Sequence, residues 1–292
     1  MIISFIISFI IGQTVIAQPS FFYPEVVNRS VSINQSLGVK IEAKSAIVYN
    51  IGTNAILSEK NPNQILSIAS LTKLMTALVV VEKQPDMNSW VEIKEEDDAE
   101  ESKINIHKGD RVMLKDLLKA SLVKSANNAT KAMARAVFGD LKTATTKMNE
   151  KCNELDLKNT HFFDVTGLDP ANHSTAKDLI KIFSTVQKNK ELHDILVKSE
   201  DNINIAGPEG NKRVERLKST NKLLNSFLSF KGAKTGSLDE AGYCFVGEIN
   251  DKSNNNDIMV VLLGSPTDEA RFQDAKSLFW WGLKTVQNNK EY

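Results

Sequence analysis

The chain has only two cysteines, Cys152 and Cys244, in 292 residues. That excludes a disulfide-stapled scaffold and any zinc module built on four thiolates. One bridge could still form in an exported protein. However, Cys152 falls in the helical run Met148–Leu155 and Cys244 on a strand near the C-terminal end. Those elements belong to different parts of a fold, so both thiols are expected to be unpaired and buried. The four histidines, His107, His161, His173 and His193, show no metal-ligand spacing. An excess of one charge is also missing. Lys+Arg and Asp+Glu both number 36, which gives no push toward nucleic acid or an anionic membrane. No apolar run approaches the roughly 20 residues needed to span a bilayer. There is no internal repeat, and the only low-complexity stretch, Asn254-Asn255-Asn256, reads as a hairpin turn.

With 41% hydrophobic residues, the chain can bury a sizeable core. Charge runs such as Glu95-Glu96-Asp97-Asp98 read as solvated faces. The first residues read as a targeting segment. Ile2 to Ile11 is almost wholly apolar, and Val15-Ile16-Ala17 resembles a small-residue cleavage site. No Lys or Arg precedes that stretch, so only the amino group supplies its positive end. The expectation is a cleaved signal over residues 1–17, a lead-in over 18–42, and one domain over 43–288 in an exported, periplasmic or extracellular protein.

Strand signals gather at the two ends and helix signals in the middle. Ser45–Tyr49 and Ala55–Glu59 flank Gly52-Thr53-Asn54 as a hairpin. Lys231–Gly236, Gly242–Ile249 and Ile258–Gly264 read as three strands, with a turn at Ser237-Leu238-Asp239-Glu240. Phe272, Ala275, Phe279 and Leu283 give helical spacing from Asp268 to about Gln287. These patterns predict an α/β (α+β) fold, with one antiparallel sheet built from both chain ends and flanked by helices. A mainly helical region, about 66–215, would lie beside it.

Three short motifs carry the chemistry, and their order matters. Ser70-Leu71-Thr72-Lys73, Ser125-Ala126-Asn127 and Lys234-Thr235-Gly236 are the parts of a serine acyl-transfer site, read from N- to C-terminus. Singly they are weak. S-x-x-K recurs at Ser121, Ser174 and Ser219, and S-x-N at Ser32, Ser219 and Ser253. A serine hydroxyl needs a positioned base to attack a carbonyl. On a helix a lysine three residues on shares the serine's face. Ser70 opens the apolar run Leu71 to Val81, which reads as a buried helix with the serine in its first turn. Its N-terminal amides can stabilise developing negative charge there. Ser125 sits at a break between two helical patterns. Gly236 removes a side chain where a substrate backbone could run along the strand.

The chain resembles the S11 family of serine D-alanyl-D-alanine carboxypeptidases, the low-molecular-weight penicillin-binding proteins, from about Ala46 to Trp281. Beyond the three motifs, the resemblance includes Asn159-Thr160-His161-Phe162, Thr166-Gly167-Leu168-Asp169, His173-Ser174-Thr175-Ala176 and Thr220-Asn221-Lys222-Leu223-Leu224. It closes with Asp239-Glu240-Ala241-Gly242-Tyr243-Cys244 and Ala270-Arg271-Phe272. Asn128, Val165 and Ser237-Leu238 depart from the residues common in that family.

The resemblance implies the β-lactamase/transpeptidase-like fold and a carboxypeptidase that removes the terminal D-alanine of peptidoglycan stem peptides. Ser70 would be the nucleophile, Lys73 its base and Ser125 a proton relay. Lys234 and Thr235 would hold the substrate carboxylate, with Gly236 alongside. Asn127 would bind the substrate amide, and the N–H groups of Ser70 and Ser237 would form the oxyanion hole. Burial and the charge of Lys234 are both expected to lower the Lys73 pKa. No metal or organic cofactor is called for, and β-lactams would acylate Ser70. No stable membrane anchor is expected after signal cleavage, and no C-terminal β domain. A DD-endopeptidase of the same family is the near alternative. A class A β-lactamase would need a deacylating glutamate in an E-x-x-L-N context, which Glu154-Leu155-Asp156-Leu157-Lys158 does not provide.

Overall fold

The computed structural model describes residues 31–32, 39–250 and 257–288. The expected signal segment and the Asn254-Asn255-Asn256 turn lie outside these residues.

The N-terminal strands are β1 (Val31–Ser32), β2 (Ser45–Asn50) and β3 (Ala55–Lys60). The short β4 (Leu66–Ser67) follows, then a single 3-10 turn (Ala69–Leu71), and then α1 (Thr72–Glu82). β5 (Trp90–Glu92) and β6 (Arg111–Met113) precede three helices, α2 (Leu114–Val123), α3 (Asn127–Phe138) and α4 (Leu141–Glu154). β7 (His173–Ser174) leads into α5 (Ala176–Lys188) and α6 (Lys190–Leu196). β8 (Glu200–Ala206) and β9 (Lys212–Lys218) make a hairpin. The chain closes with β10 (Phe230–Leu238), β11 (Gly242–Ile249), β12 (Ile258–Ser265) and α7 (Asp268–Asn288).

The main sheet has the order β1-β3-β2-β12-β11-β10, so both chain ends contribute as expected. Every pairing in it is antiparallel except β1 with β3. β12, at its centre, is buried along its whole length because both sheet faces are covered. Side chains alternate between faces of a strand, and the packing follows that period. Val48, Ile258, Val260 and Leu262 join Phe272, Ala275, Leu278 and Phe279 of α7. Ile47, Met259, Val261 and Leu263 belong instead to the core of the helical region. α1 is the axis of that region, with every residue from Thr72 to Val81 buried. Asp140, Thr175 and Asn189 cap the starts of α4, α5 and α6 by accepting backbone N–H bonds.

The middle region is mainly helical, as expected, and it also holds a four-stranded antiparallel sheet, in the order β5-β6-β8-β9, that the sequence pattern did not disclose. Its β9, Lys-Arg-Val-Glu-Arg-Leu-Lys, turns only Leu217 fully inward. So much charge hides a strand from a hydrophobicity pattern. One expectation is corrected: β10 runs on through Ser237 and Leu238, which the sequence pattern places in the turn.

Candidate active site

Ser70 sits in the 3-10 turn that leads into α1, one turn earlier than the helical pattern implied. Ala69 beside it has φ +46°, a left-handed conformation that ordinary residues seldom adopt. Close packing holds the turn in that state. A Cβ on Gly167, itself at φ +87°, would lie 2.0 Å from the Ala69 carbonyl oxygen. A Cβ on Gly236 would lie 2.9 Å from both the Ile68 oxygen and the Ser70 nitrogen. The Ser70 turn therefore packs against the side of Gly236 where a Cβ would stand, while Gly236 itself borders the same cleft as Ser70.

The Lys73 ammonium nitrogen lies 2.7 Å from Ser70 Oγ and 2.6 Å from the Thr166 carbonyl oxygen. Lys73 is completely buried. Burial pulls its pKa down to about 7, and the negative charge of Asp164 works against that fall. Burial first, and then the charges of Lys73 and Arg271, hold Lys234 well below the usual lysine range, and the repulsion between the two lysines is mutual. With its pKa near 7, Lys73 is poised as an acid–base group near neutrality.

Ser125 occupies the break between α2 and α3 at φ +62°, a second left-handed residue at the site after Ala69. Its Oγ accepts a 2.8 Å bond from Lys234 Nζ, which also donates to the Thr235 carbonyl. Asn127 donates from Nδ2 to the Glu101 carbonyl at 2.7 Å, while its Oδ1 is buried without a partner. Thr235 Oγ1 donates to Thr220 Oγ1 at 2.6 Å. Ser237 is exposed at the end of β10. Ser70, Ser125, Asn127, Thr220, Thr235 and Arg271 line one cleft of about 340 Å³. A larger cavity, about 700 Å³, lies on the other side of the Phe162–Leu168 segment but contains no serine–lysine pair.

All three motifs therefore meet in one place. The rival S-x-x-K serines do not join it as nucleophiles. Ser121 is buried and takes a bond from Thr130, and Ser174 is buried against Thr160. Ser219 borders the cleft but accepts the Asn221 backbone N–H. Cys152 and Cys244 are free and buried, their thiols pushed up to about 12 and about 11 by desolvation.

Some roles at the site escaped the sequence reading. Arg271 reaches back from α7 to donate to the Gly236 and Cys244 carbonyls, at 2.9 and 3.2 Å, and pairs with Asp268. It braces the strand carrying Lys234 from behind. Asp164 shapes the loop that supplies the Thr166 carbonyl. The Thr166-Gly167-Leu168-Asp169 run marked that loop, but only the fold shows which helix it meets. Asn128 also gains an explanation. It pairs with both backbone groups of Ile104, accepting its N–H at 3.2 Å and donating to its carbonyl at 2.9 Å. A carboxylate could not donate the second bond.

This fold and this cleft define the class of penicillin-binding DD-peptidases, and solved members superpose closely on the chain. The Streptomyces K15 DD-transpeptidase is similar at 29% identity with a TM-score of 0.79, over 84% of this chain and 98% of that one. The family model for peptidase S11, D-alanyl-D-alanine carboxypeptidase, matches residues 30–267. The chain belongs to that family of serine hydrolases. Among curated relatives, the D-alanyl-D-alanine carboxypeptidase DacF of Bacillus subtilis is 32% identical over 81% of this chain and 61% of its own length. The D-alanyl-D-alanine endopeptidase of Escherichia coli is 26% identical over 89% of this chain and 83% of its own length. The endopeptidase of Haemophilus influenzae is 32% identical, over 80% of each.

Proposed function

We propose that the protein is an exported serine-type D-alanyl-D-alanine carboxypeptidase that trims peptidoglycan stem peptides through an acyl-enzyme on Ser70. The observation that carries this reading is the Ser70–Lys73 pair. A nucleophile and a buried amine stand 2.7 Å apart, and the amine titrates near 7 rather than near 10.5. Neutral Lys73 takes the Ser70 proton as Oγ attacks the penultimate D-alanine carbonyl. The N–H groups of Ser70 and Ser237 receive the oxyanion. The scissile C–N bond then breaks, and Ser125, supported by Lys234, delivers a proton to the departing D-alanine amine. Water hydrolyses the Ser70 ester and restores the enzyme.

The substrate's ends fit the remaining groups. A terminal carboxylate beside Lys234 and Thr235 supplies a counter-charge to buried Lys234, which favours its ammonium form. The unpartnered Asn127 Oδ1 is an acceptor ready for a substrate amide N–H.

A DD-endopeptidase is the second reading, because relatives named endopeptidases match the chain alongside those named carboxypeptidases. Purified protein incubated with cross-linked and uncross-linked muropeptides, with products weighed by mass spectrometry, separates the two. Free D-alanine from the uncross-linked peptide supports the carboxypeptidase, and opened dimers support the endopeptidase. Penicillin labelling that survives Ser70→Ala would remove the common basis of both.

A further inference from the structure

The segment from Asp164 to Leu168 is bolted to α1 by an unbroken set of bonds. The Asp164 carboxylate accepts from the Gly167 N–H at 2.8 Å, from Asn172 Nδ2 at 2.6 Å, and from the Thr166 hydroxyl. Fully buried Asn172 accepts the Phe163 and Asp164 N–H groups at 2.6 and 3.1 Å. Its Nδ2 also reaches Thr72 Oγ1 on α1 at 3.1 Å. The following carbonyls complete the attachment. Val165 accepts from Thr76 Oγ1 at 2.7 Å, and Thr166 accepts from Lys73 Nζ at 2.6 Å. Gly167, which the Asp164 carboxylate holds at positive φ, is the residue against which the Ala69 turn is packed.

We propose that Asp164 is a positioning residue of the acyl-transfer site. Its carboxylate shapes the loop that presents the Thr166 carbonyl to Lys73, and it sets one negative charge against the Lys73 amine. This rests on the assignment of Ser70 and Lys73 as nucleophile and base. Two charged groups face Lys73: Asp164 from the loop and Lys234 from β10, which in turn feels Arg271 of α7. Asp164 is the one of these that favours the protonated amine. Removing its charge therefore leaves more neutral Lys73 at a given acidic pH.

The test is the pH profile of Ser70 acylation by a fluorescent penicillin, measured on the purified protein and its variants. A wild type that takes no label on Ser70 overturns the functional reading beneath this proposal. With the wild type labelled, Asp164→Asn loses the charge but keeps one acceptor oxygen for Gly167 and Asn172, while the Thr166 hydroxyl can turn to accept from the new amide. With that charge gone, the profile should move to lower pH by about one unit. An unchanged midpoint overturns the electrostatic role. Asp164→Ala also frees the loop, and its plateau rate should fall about tenfold or more because the Lys73 amine loses its fixed acceptor. Thr166→Val keeps the Asp164 charge and removes only a hydroxyl tie, so it should lower the plateau and leave the midpoint in place. If Asp164→Asn does not fold, a shifted midpoint in Thr166→Val overturns the electrostatic role instead. A wild-type plateau in both Asp164→Ala and Thr166→Val overturns the positioning role.

Discussion

Lys73 shows how one side chain is made reactive at a cost to the fold. An amine with no exposed surface has lost its hydration, and the hydroxyl and carbonyl that replace water suit the neutral form about as well as the charged one. Its pKa thus falls from 10.5 to about 7. Acylation by a β-lactam should accordingly rise with pH and be half-maximal near about pH 7, because the base proposed for it is the neutral amine. The same shift makes a stability statement. Between the folded value and the unfolded one, the unfolded chain binds more protons, so this lysine's penalty is full below about pH 7 and fades toward about 10.4. Lys73→Met removes that dependence. Relative to the wild type, the variant should be most stable at acidic pH and lose its relative advantage as pH rises from about 7 to about 10. Urea unfolding of both proteins at several pH values checks this, and a difference independent of pH would mean that Lys73 keeps an ordinary pKa. Acylation in Lys73→Met should drop by a factor on the order of 10² to 10⁴, the usual worth of a general base.

At the scale of elements, the site is made where irregular backbone is clamped between regular pieces. The Ser70 turn stands between β10 and the Gly167 loop, and neither neighbour can carry a side chain on the facing side. Gly167→Ala places a methyl 2.0 Å from the Ala69 oxygen and asks alanine to adopt φ +87°. Because backbone and not a flexible side chain is struck, relaxation must move the Ser70 turn itself. A loss of about 2 kcal/mol or more is expected in chemical unfolding, with a larger proportional loss of penicillin acylation than of folded protein. A Gly167→Ala protein that acylates at the wild-type rate would mean the turn does not depend on this contact. The sequence disclosed these elements unevenly. The β2–β3 hairpin, the three C-terminal strands and α7 were legible because apolar period and turn residues agree there. The β5-β6-β8-β9 sheet was not, because β8 and β9 are mostly solvated and lean on the core through Ile203, Ile205 and Leu217.

For the whole molecule, the cleft is a boundary between two bodies of structure: the main sheet with β10 at its edge, and the helical region built on α1. Ser125 belongs to one and Lys234 to the other, and their 2.8 Å bond spans 109 residues of sequence. A ligand joined to Ser70 and held by Lys234 and Thr235 ties both bodies together, and the unfolded chain cannot bind it that way. Wild type acylated by penicillin should therefore melt at a higher temperature than the free protein, while Ser70→Ala should show no shift with the same compound. A shift in Ser70→Ala would place the stabilising contact away from this cleft. What the sequence determined by itself was which residues the proposed chemistry rests on. S-x-x-K at the start of a helix needs only local geometry to bring an amine to a hydroxyl, and the order of the three motifs pointed to Ser70 over Ser121, Ser174 and Ser219. Tertiary structure alone decided what surrounds that pair. The low pKa of Lys73, the Asp164 charge that opposes it, the unpartnered Asn127 oxygen and the Arg271 brace all depend on burial and on contacts between residues tens to hundreds of positions apart. A local pattern carries no record of such contacts, because desolvation and close packing exist only once distant segments have met.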